Sequence, residues 1–152
     1  MKKKIAAILA ALVCLLMAGC GNAYAQAEYD SPEKIASSGD HYSKVRSVQT
    51  TIDGGFRLTV GSFDGRETLW TETRKDSQAA EGTLLLTLTH GQAKLVHVDE
   101  AGTVTTLLER TPQTASDEPV TVTVPMQPGR NKLKLVGYDC KNLKCEFVFG
   151  EP

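Results

Sequence analysis

Apolar and polar residues alternate along most of the chain beyond Val45, in short runs separated by turn residues such as Gly, Asp and Asn. In the clearest runs, 56–60, 83–90 and 120–124, every second residue is apolar. This period of two places alternate side chains on opposite faces of a β-strand. Weaker runs of the same kind cover 66–74, 94–99, 103–109, 132–138 and 145–149. The sequence therefore predicts about eight short strands.

No amphipathic helix separates these runs, so the pattern predicts antiparallel pairing in an all-β domain over residues 45–152. A single open sheet could not cover this much apolar surface, and two packed sheets could. We therefore predict an antiparallel β-sandwich, of jelly-roll type. A small closed β-barrel is the alternative.

The C-terminal strands contain one recognisable local pattern. Gly129 and Asn131 precede the alternating residues Leu133 and Leu135. This stretch resembles the "Gly-x-Asn-x-apolar-x-apolar" strand start of jelly-roll carbohydrate-binding modules. The resemblance covers less than a tenth of the chain. It implies a sandwich of that type, and no binding residues are carried over from it.

The first 19 residues have the layout of a secretory signal, with Lys2, Lys3 and Lys4 before an uncharged apolar run. That run is too short for a membrane-spanning helix, which needs about 20 residues. The run ends in Leu-Met-Ala-Gly-Cys at 16–20, which resembles the lipobox of small bacterial lipoproteins, such as those of Gram-positive bacteria. The resemblance implies a signal peptide over 1–19 and a diacylglyceryl group on Cys20.

Such a lipid would hold the protein on the outer face of the cell membrane, because two acyl chains bind a bilayer stably. A second cleavage pattern, Ala-Tyr-Ala at 23–25, gives the alternative of a secreted protein that begins at Gln26. Residues 20–44 are rich in Ala, Ser, Gly and charged residues, and we expect a flexible tether there. Ser31, Pro32 and Glu33 form a helix-start signal that predicts a short helix near 32–37.

Cysteine use agrees with an exported protein. Cys14 leaves with the leader, and Cys20 is lipidated or removed, so Cys140 and Cys145 remain. In an exported domain, two cysteines on either side of a turn predict a disulfide. Free thiols and a metal site are the alternatives, although a structural zinc needs four ligands and no histidine is near this pair in sequence.

The charge balance excludes one class of partner. Three of the 17 basic residues belong to the leader, so the mature chain carries 14 basic against 18 acidic residues. Nucleic-acid binding needs clustered Lys and Arg, and this composition disfavours it. The same balance gives no polybasic support to membrane binding, so the lipid is the predicted anchor.

No motif in the sequence supports catalysis, a metal site or a cofactor. The Gly-Ser-Phe-Asp-Gly stretch at 61–65 is better explained as a turn than as a nucleophile elbow. Sugar-binding sandwiches present exposed aromatic rings, and the candidates here are Trp70, Tyr138 and Tyr42. Trp70 shares its strand phase with polar neighbours, and Tyr138 lies at a strand end beside the cysteines.

Taken together, these features predict an extracytoplasmic lipoprotein that acts as a non-enzymatic binding or accessory module in the cell envelope, with a protein or glycan as its partner. A glycan- or small-ligand-binding module is the alternative, and it requires an exposed aromatic side chain beside polar groups in a concave site.

Overall fold

The structure is a computed structural model that describes residues 20–150. The predicted signal peptide, residues 1–19, lies outside the described residues. In the described part, two short helices precede seven strands. Their bounds are α1 Cys20–Tyr29, α2 Pro32–Ala36, β1 His41–Ile52, β2 Gly55–Arg74, β3 Gln78–Thr87, β4 His90–Val98, β5 Val104–Arg110, β6 Val120–Met126 and β7 Gly129–Phe149.

All strand pairs are antiparallel, in the order β1-β2-β7-β3-β6, and β4 pairs with both β7 and β5. β3 and β4 lie one after the other along the same edge of β7. The predicted all-β, antiparallel sandwich class is confirmed, and the sheet is open, so the alternative of a closed barrel is not observed. The described residues form seven strands instead of about eight, because β2 and β7 each join two of the predicted runs, while β1, which begins at His41 inside the predicted tether, adds one.

The long strands bend at one shared corner. Gly65 and Gly91 have φ of 104° and 80°, and Asp139 and Asn142 have φ of 51° and 48°. The β2–β7 register shifts beside Gly65, and the β4–β7 register shifts beside Gly91. Such irregularities bend a strand, and they allow one strand to pass from one sheet layer into another. A Cβ on Gly65 would lie 2.1 Å from the His41 carbonyl oxygen, so this corner requires glycine.

We call the two parts of the sheet on either side of this corner the first and the second layer. The first layer comprises β3, β6, residues 55–60 of β2 and residues 144–149 of β7. The second comprises β4, β5, residues 66–74 of β2 and residues 129–137 of β7. The ring of Trp70, in the second layer, lies 4.8 Å from the ring of Phe149, in the first, measured between centroids. The layers therefore face each other.

The main core contains apolar side chains from both layers. Leu58 of β2, Leu86 of β3 and Leu135 of β7 are examples, and each is at most 1 % exposed. Burial of a side chain of this size contributes roughly 1.5–3 kcal/mol. The other large members are Phe56, Phe63, Leu84, Leu95, Val124, Met126, Leu133, Leu143 and Phe147.

The helices pack on the outside of the second layer, so the structure corrects the prediction of a flexible tether over 20–44. Tyr29 and Ile35 are buried against Val96, Val98 and Val136. The short helix predicted near 32–37 is present as α2, where the Ser31 side chain accepts a hydrogen bond from the backbone N–H of Lys34. The sequence hid this packing because only isolated apolar residues make it, with no helical period. No helix within 20–150 is long and apolar enough to cross a membrane.

The predicted disulfide is absent. Cys140 and Cys145 are free, buried thiols on the same strand, β7. Cys140 lies opposite Phe63 and Cys145 opposite Leu58 in the β2–β7 ladder. Five residues of extended strand span about 16 Å, whereas a disulfide joins Cα atoms about 4.4–6.8 Å apart. The turn predicted between the cysteines is a continuation of the strand.

Candidate functional site

An open groove of about 650 Å³ contains the candidate aromatic residue Trp70. It lies where the two layers meet at one end of the sandwich. Its walls come from the β1–β2 turn (51–55), the end of β2 (70–74), the start of β3 (78–81) and the end of β7 (149–150). We call it the Trp70 groove, because it contains the chain's single tryptophan.

Trp70 reaches the groove because of a local irregularity in β2. The β2–β7 register shifts between Thr68 and Trp70, and such a bulge turns the following side chains relative to the sheet. The indole is partly buried against the main core. It contacts Phe149, which in turn stands edge-on to Phe147 at a centroid distance of 4.7 Å. The core therefore fixes one side of the indole while another part lines the groove.

Charged side chains lie beside the indole on the same wall. Arg74 Nε lies 3.2 Å from Glu72 Oε1, and both side chains are partly buried. Glu81 lies on the opposite wall and is exposed. The groove thus combines an aromatic surface with a guanidinium and two carboxylates, which donate to and accept from polar ligand groups.

Backbone hydrogen bonds hold the end of β7 in place. The N–H of Phe149 donates to the Gly54 carbonyl over 2.9 Å, and the N–H of Gly150 donates to the Glu81 carbonyl over 2.9 Å. Gly54, at φ 69°, forms the tight β1–β2 turn that brings its carbonyl to β7. These backbone hydrogen bonds therefore fix the position of Phe149, and with it the aromatic ring that contacts Trp70.

Tyr138 lies elsewhere, so the structure does not bring it together with Trp70. Its ring stands edge-on to Tyr29 at 5.2 Å, beneath α1, and its hydroxyl donates to Gln92 Oε1 over 3.0 Å. Tyr29 donates its own hydroxyl proton to Glu109 over 2.5 Å, and burial raises the pKa of Tyr29 above its usual range. These contacts give Tyr138 a packing role under the helices.

Asn131 of the Gly-x-Asn pattern also has a structural role. Its side-chain Nδ2 donates to the carbonyl of Gln127, and its Oδ1 accepts from the Gln127 N–H. The same Oδ1 lies 2.9 Å from Nε2 of the buried His97. Asn131 therefore closes the turn before β7. In residues 20–150, no three His, Cys, Asp or Glu side chains are grouped as a metal site.

Sequence reasoning selected Trp70 but missed its neighbours in the groove. Phe149 and Arg74 stand at the ends of predicted runs, where strand phase gives no guide to exposure. An aromatic residue at the very end of the last run was the only available signal for Phe149. Arg74 and Glu72 lie two residues apart on β2, a spacing that places both on the same face of a strand.

No protein-family model matches the chain, and no curated protein matches it. Among solved structures, it is similar to a family 29 carbohydrate-binding module in complex with mannohexaose (12 % identity, TM-score 0.41), over 73 % of this chain and 78 % of that one. It is also similar to a carbohydrate-binding module of Cellvibrio mixtus lichenase 5A in complex with cellotriose (10 % identity, TM-score 0.43), over 74 % and 90 %. These similarities assign neither a family nor a ligand to this chain.

Proposed function

We propose that this protein is a non-enzymatic, extracytoplasmic binding module that takes a carbohydrate in the Trp70 groove. The observation that carries the proposal is the indole of Trp70, held by Phe149 in an open groove beside the Glu72–Arg74 ion pair. Concave sites with an aromatic surface and a few fixed polar groups are the usual form of small-ligand sites.

Each part of the groove suits a sugar. A flat aromatic face packs against the apolar C–H face of a pyranose ring and removes water from both. Carboxylate oxygens accept hydrogen bonds from sugar hydroxyl groups, and the guanidinium of Arg74 donates to them. Because the groove is open to solvent, a longer glycan can extend beyond it.

The single tryptophan gives a direct assay. We expect at least one of three soluble classes, cello-, manno- and chito-oligosaccharides, to produce a saturable change in Trp70 fluorescence. Calorimetry on Trp70→Leu, which keeps an apolar contact with Phe149, should then show about tenfold weaker binding, or about 1.4 kcal/mol. Tyr138→Phe is the matched control, since it changes an aromatic residue under the helices and should bind as the parent does.

Two results would contradict a sugar role for the groove. One is the absence of any saturable fluorescence change across the three oligosaccharide classes. The other is sugar binding of undiminished affinity in a folded Trp70→Leu variant, which would place the site elsewhere on the protein.

We further propose that a diacylglyceryl group on Cys20 anchors the mature protein to the outer face of the membrane. The lipobox resemblance supports this, and so does the position of α1. Cleavage after Ala25 would divide α1 and remove Ala25, whose side chain is buried. Intact-mass analysis of the membrane fraction, with Cys20→Ala as the control, tests the anchor. A mature chain that begins at Gln26 and is recovered in the medium would show that it is wrong.

A further inference from the structure

A second pocket, of about 340 Å³, lies between α1, the start of β1 and the corner of β2. We call it the α1–β1 pocket. Its polar and aromatic lining comes from Tyr24, Glu28, His41, Tyr42 and Asp64. It shares no lining residue with the Trp70 groove, and the function proposed above does not use it.

Glu28 is the unusual member of this pocket. The residue is 1 % exposed, and its Oε1 accepts a hydrogen bond from Arg66 over 2.5 Å. Arg66 is itself held by the Ser37 hydroxyl at 2.9 Å. The second carboxylate oxygen, Oε2, is buried and receives no hydrogen bond from any residue in 20–150. Leaving a buried acceptor unpaired costs about 1–3 kcal/mol, and more for a charged group, so this oxygen favours a donor from outside.

A histidine side chain beside that oxygen is easily moved. His41 Nδ1 lies 3.4 Å from Glu28 Oε2, without the geometry of a hydrogen bond, and the His41 side chain is 61 % exposed. Exposed side chains change rotamer on the picosecond to nanosecond timescale. Rotation of His41 toward solvent would open the path from the pocket to Oε2.

The rest of the lining favours a positive charge. Asp64 adds a second carboxylate, whose Oδ1 already accepts the Asp139 N–H over 2.6 Å. Among residues 20–150, no Lys or Arg side chain lines the pocket, although the ammonium groups of Lys34 and Lys44 lie near its two tyrosines. Arg66 balances the charge of Glu28, so Asp64 is the second carboxylate that the lining offers to a cation.

Two exposed tyrosines stand at the mouth of the pocket. Tyr24 and Tyr42 are 50 % and 44 % exposed, which is unusual for large aromatic side chains. Each ring already has an ammonium near its face, at 5.1 Å for Lys34 and 4.9 Å for Lys44. Lys34 and Lys44 thus cover one face of each ring, and Tyr42 also stacks on Phe63 at a centroid distance of 6.4 Å, so these tyrosines are suited to apolar contact with an alkyl chain.

We propose that the α1–β1 pocket binds a primary ammonium group carried on a short aliphatic chain. The ammonium has three N–H donors and no acceptor, which matches a site of carboxylate oxygens. Glu28 Oε2 and Asp64 receive the N–H groups, and the side chains of Tyr24 and Tyr42 contact the alkyl stem. This ligand class is independent of the sugar that we propose for the Trp70 groove.

Nuclear magnetic resonance titration of the mature protein with n-butylammonium chloride tests the proposal. We expect saturable shifts of the backbone amides of Tyr24, Ser43 and Gly65, which lie around the pocket. Titrations with n-butanol and sodium n-pentanoate keep the n-butyl chain and replace the ammonium by a neutral and an anionic group, and neither should produce these shifts. Equal shifts with n-butanol, or no saturable shift with n-butylammonium, would overturn the proposal.

Variants of three pocket residues, with one control outside the pocket, test which side chains bind the ammonium. Glu28→Gln keeps the shape and should weaken butylammonium binding about tenfold, because hydrogen bonds to charged groups contribute about 1.5–3 kcal/mol. Asp64→Asn should also weaken it, and it provides a test that leaves the buried Arg66–Glu28 contact intact. Glu118→Gln removes the same charge from an exposed loop outside the pocket lining and serves as the matched control. His41→Ala, which uncovers Oε2, should tighten binding, and unchanged affinity in all of Glu28→Gln, Asp64→Asn and His41→Ala would refute the assignment.

Discussion

Replacement of Ile35 by alanine tests whether the N-terminal helices belong to the folded domain. Ile35 is 1 % exposed and packs on Val96, Val98 and Val136 of the second layer. Helix α2 has five residues, and an isolated helix of that length is not stable in water. Its structure therefore depends on this side chain and on Tyr29.

The expected magnitude follows from the atoms removed. Ile35→Ala deletes three buried carbons, each contributing about 0.8 kcal/mol. The cavity left behind adds to that loss, and large-to-small changes of this type cost about 2–5 kcal/mol. We therefore expect the free energy of unfolding to fall by about 3 kcal/mol, unless the helices detach first, in which case the loss equals the free energy of their docking.

Urea unfolding and amide hydrogen exchange separate these two cases. In the parent protein, the amide of Ile35 donates to the Ser31 carbonyl and that of Ser37 to the Glu33 carbonyl, so these two amides should be protected. In Ile35→Ala they should exchange faster. Val48→Ala, at a β1 position that is 66 % exposed, is the control and should change stability by no more than about 0.5 kcal/mol. If Ile35→Ala behaves like this control and residues 32–37 exchange freely in both proteins, the segment is a flexible tether and the packing described here is wrong.

Two further predictions concern buried groups in β7. Burial raises the pKa of the Cys140 and Cys145 thiols to about 12, so both should resist a small thiol reagent in the native protein and react on unfolding, with no mass change on reduction; prompt reaction of either thiol would contradict their burial. Burial also lowers the pKa of Lys134, and the carboxylate of Asp40, 3.5 Å from Nζ, raises it by a smaller amount. The same Nζ donates a hydrogen bond to the Ser37 carbonyl over 2.8 Å. The unfolded chain then holds the Lys134 proton to higher pH than the folded chain does, so this residue should make stability rise with pH toward 10.5. The raised thiol pKa values of Cys140 and Cys145 lower stability over the same range in both proteins, so the test is the difference between them. From about pH 7 to about pH 10, urea unfolding should show a less favourable change in stability for Lys134→Met than for the parent, and an equal change in both proteins would refute the prediction.

The sequence predicts the strands well wherever alternation reports burial. Leu84, Leu86 and Leu88 were expected on one face, and all three are buried, at 0 %, 1 % and 3 % exposure. This works because a sheet with one covered face imposes the period of two directly on the sequence. The number of strands was harder to predict from the sequence, because Gly, Asp and Asn at positive φ occur both in turns and in bent strands.

The disulfide prediction failed for that same reason. A turn was expected between the cysteines, whereas Asp139 and Asn142, which have positive φ there, lie within β7, where the strands change layer. A turn would have brought Cys140 and Cys145 together, and a bent strand keeps them apart. Local sequence gives the backbone conformation of such residues, but only the pairing with β2 and β4 decides whether the chain reverses.

The candidate site was also predictable from the sequence only in part. Strand phase selected Trp70, but its position depends on the register shift beside Thr68 and on contact with Phe149, from the other layer. The contact joins residues 79 positions apart in sequence, and no local pattern encodes it. Glu28 was missed for a related reason, because its partner Arg66 lies on a distant strand.

The packed helices also change what a lipid on Cys20 would do. A flexible tether of about 25 residues would let the domain stand roughly 25–30 Å from the bilayer. In the structure, α1 begins at Cys20, and the side chains of Ala25, Glu28 and Tyr29 are buried, so only a helical segment of about 8 Å separates Cys20 from the first of these buried residues. A lipid at that position would keep the second layer and the α1–β1 pocket close to the membrane surface. The domain could move further from the membrane only if α1 and α2 detached from the sheet, which would expose Tyr29 and Ile35. The stability of the helix packing therefore determines how far from the membrane the domain can extend.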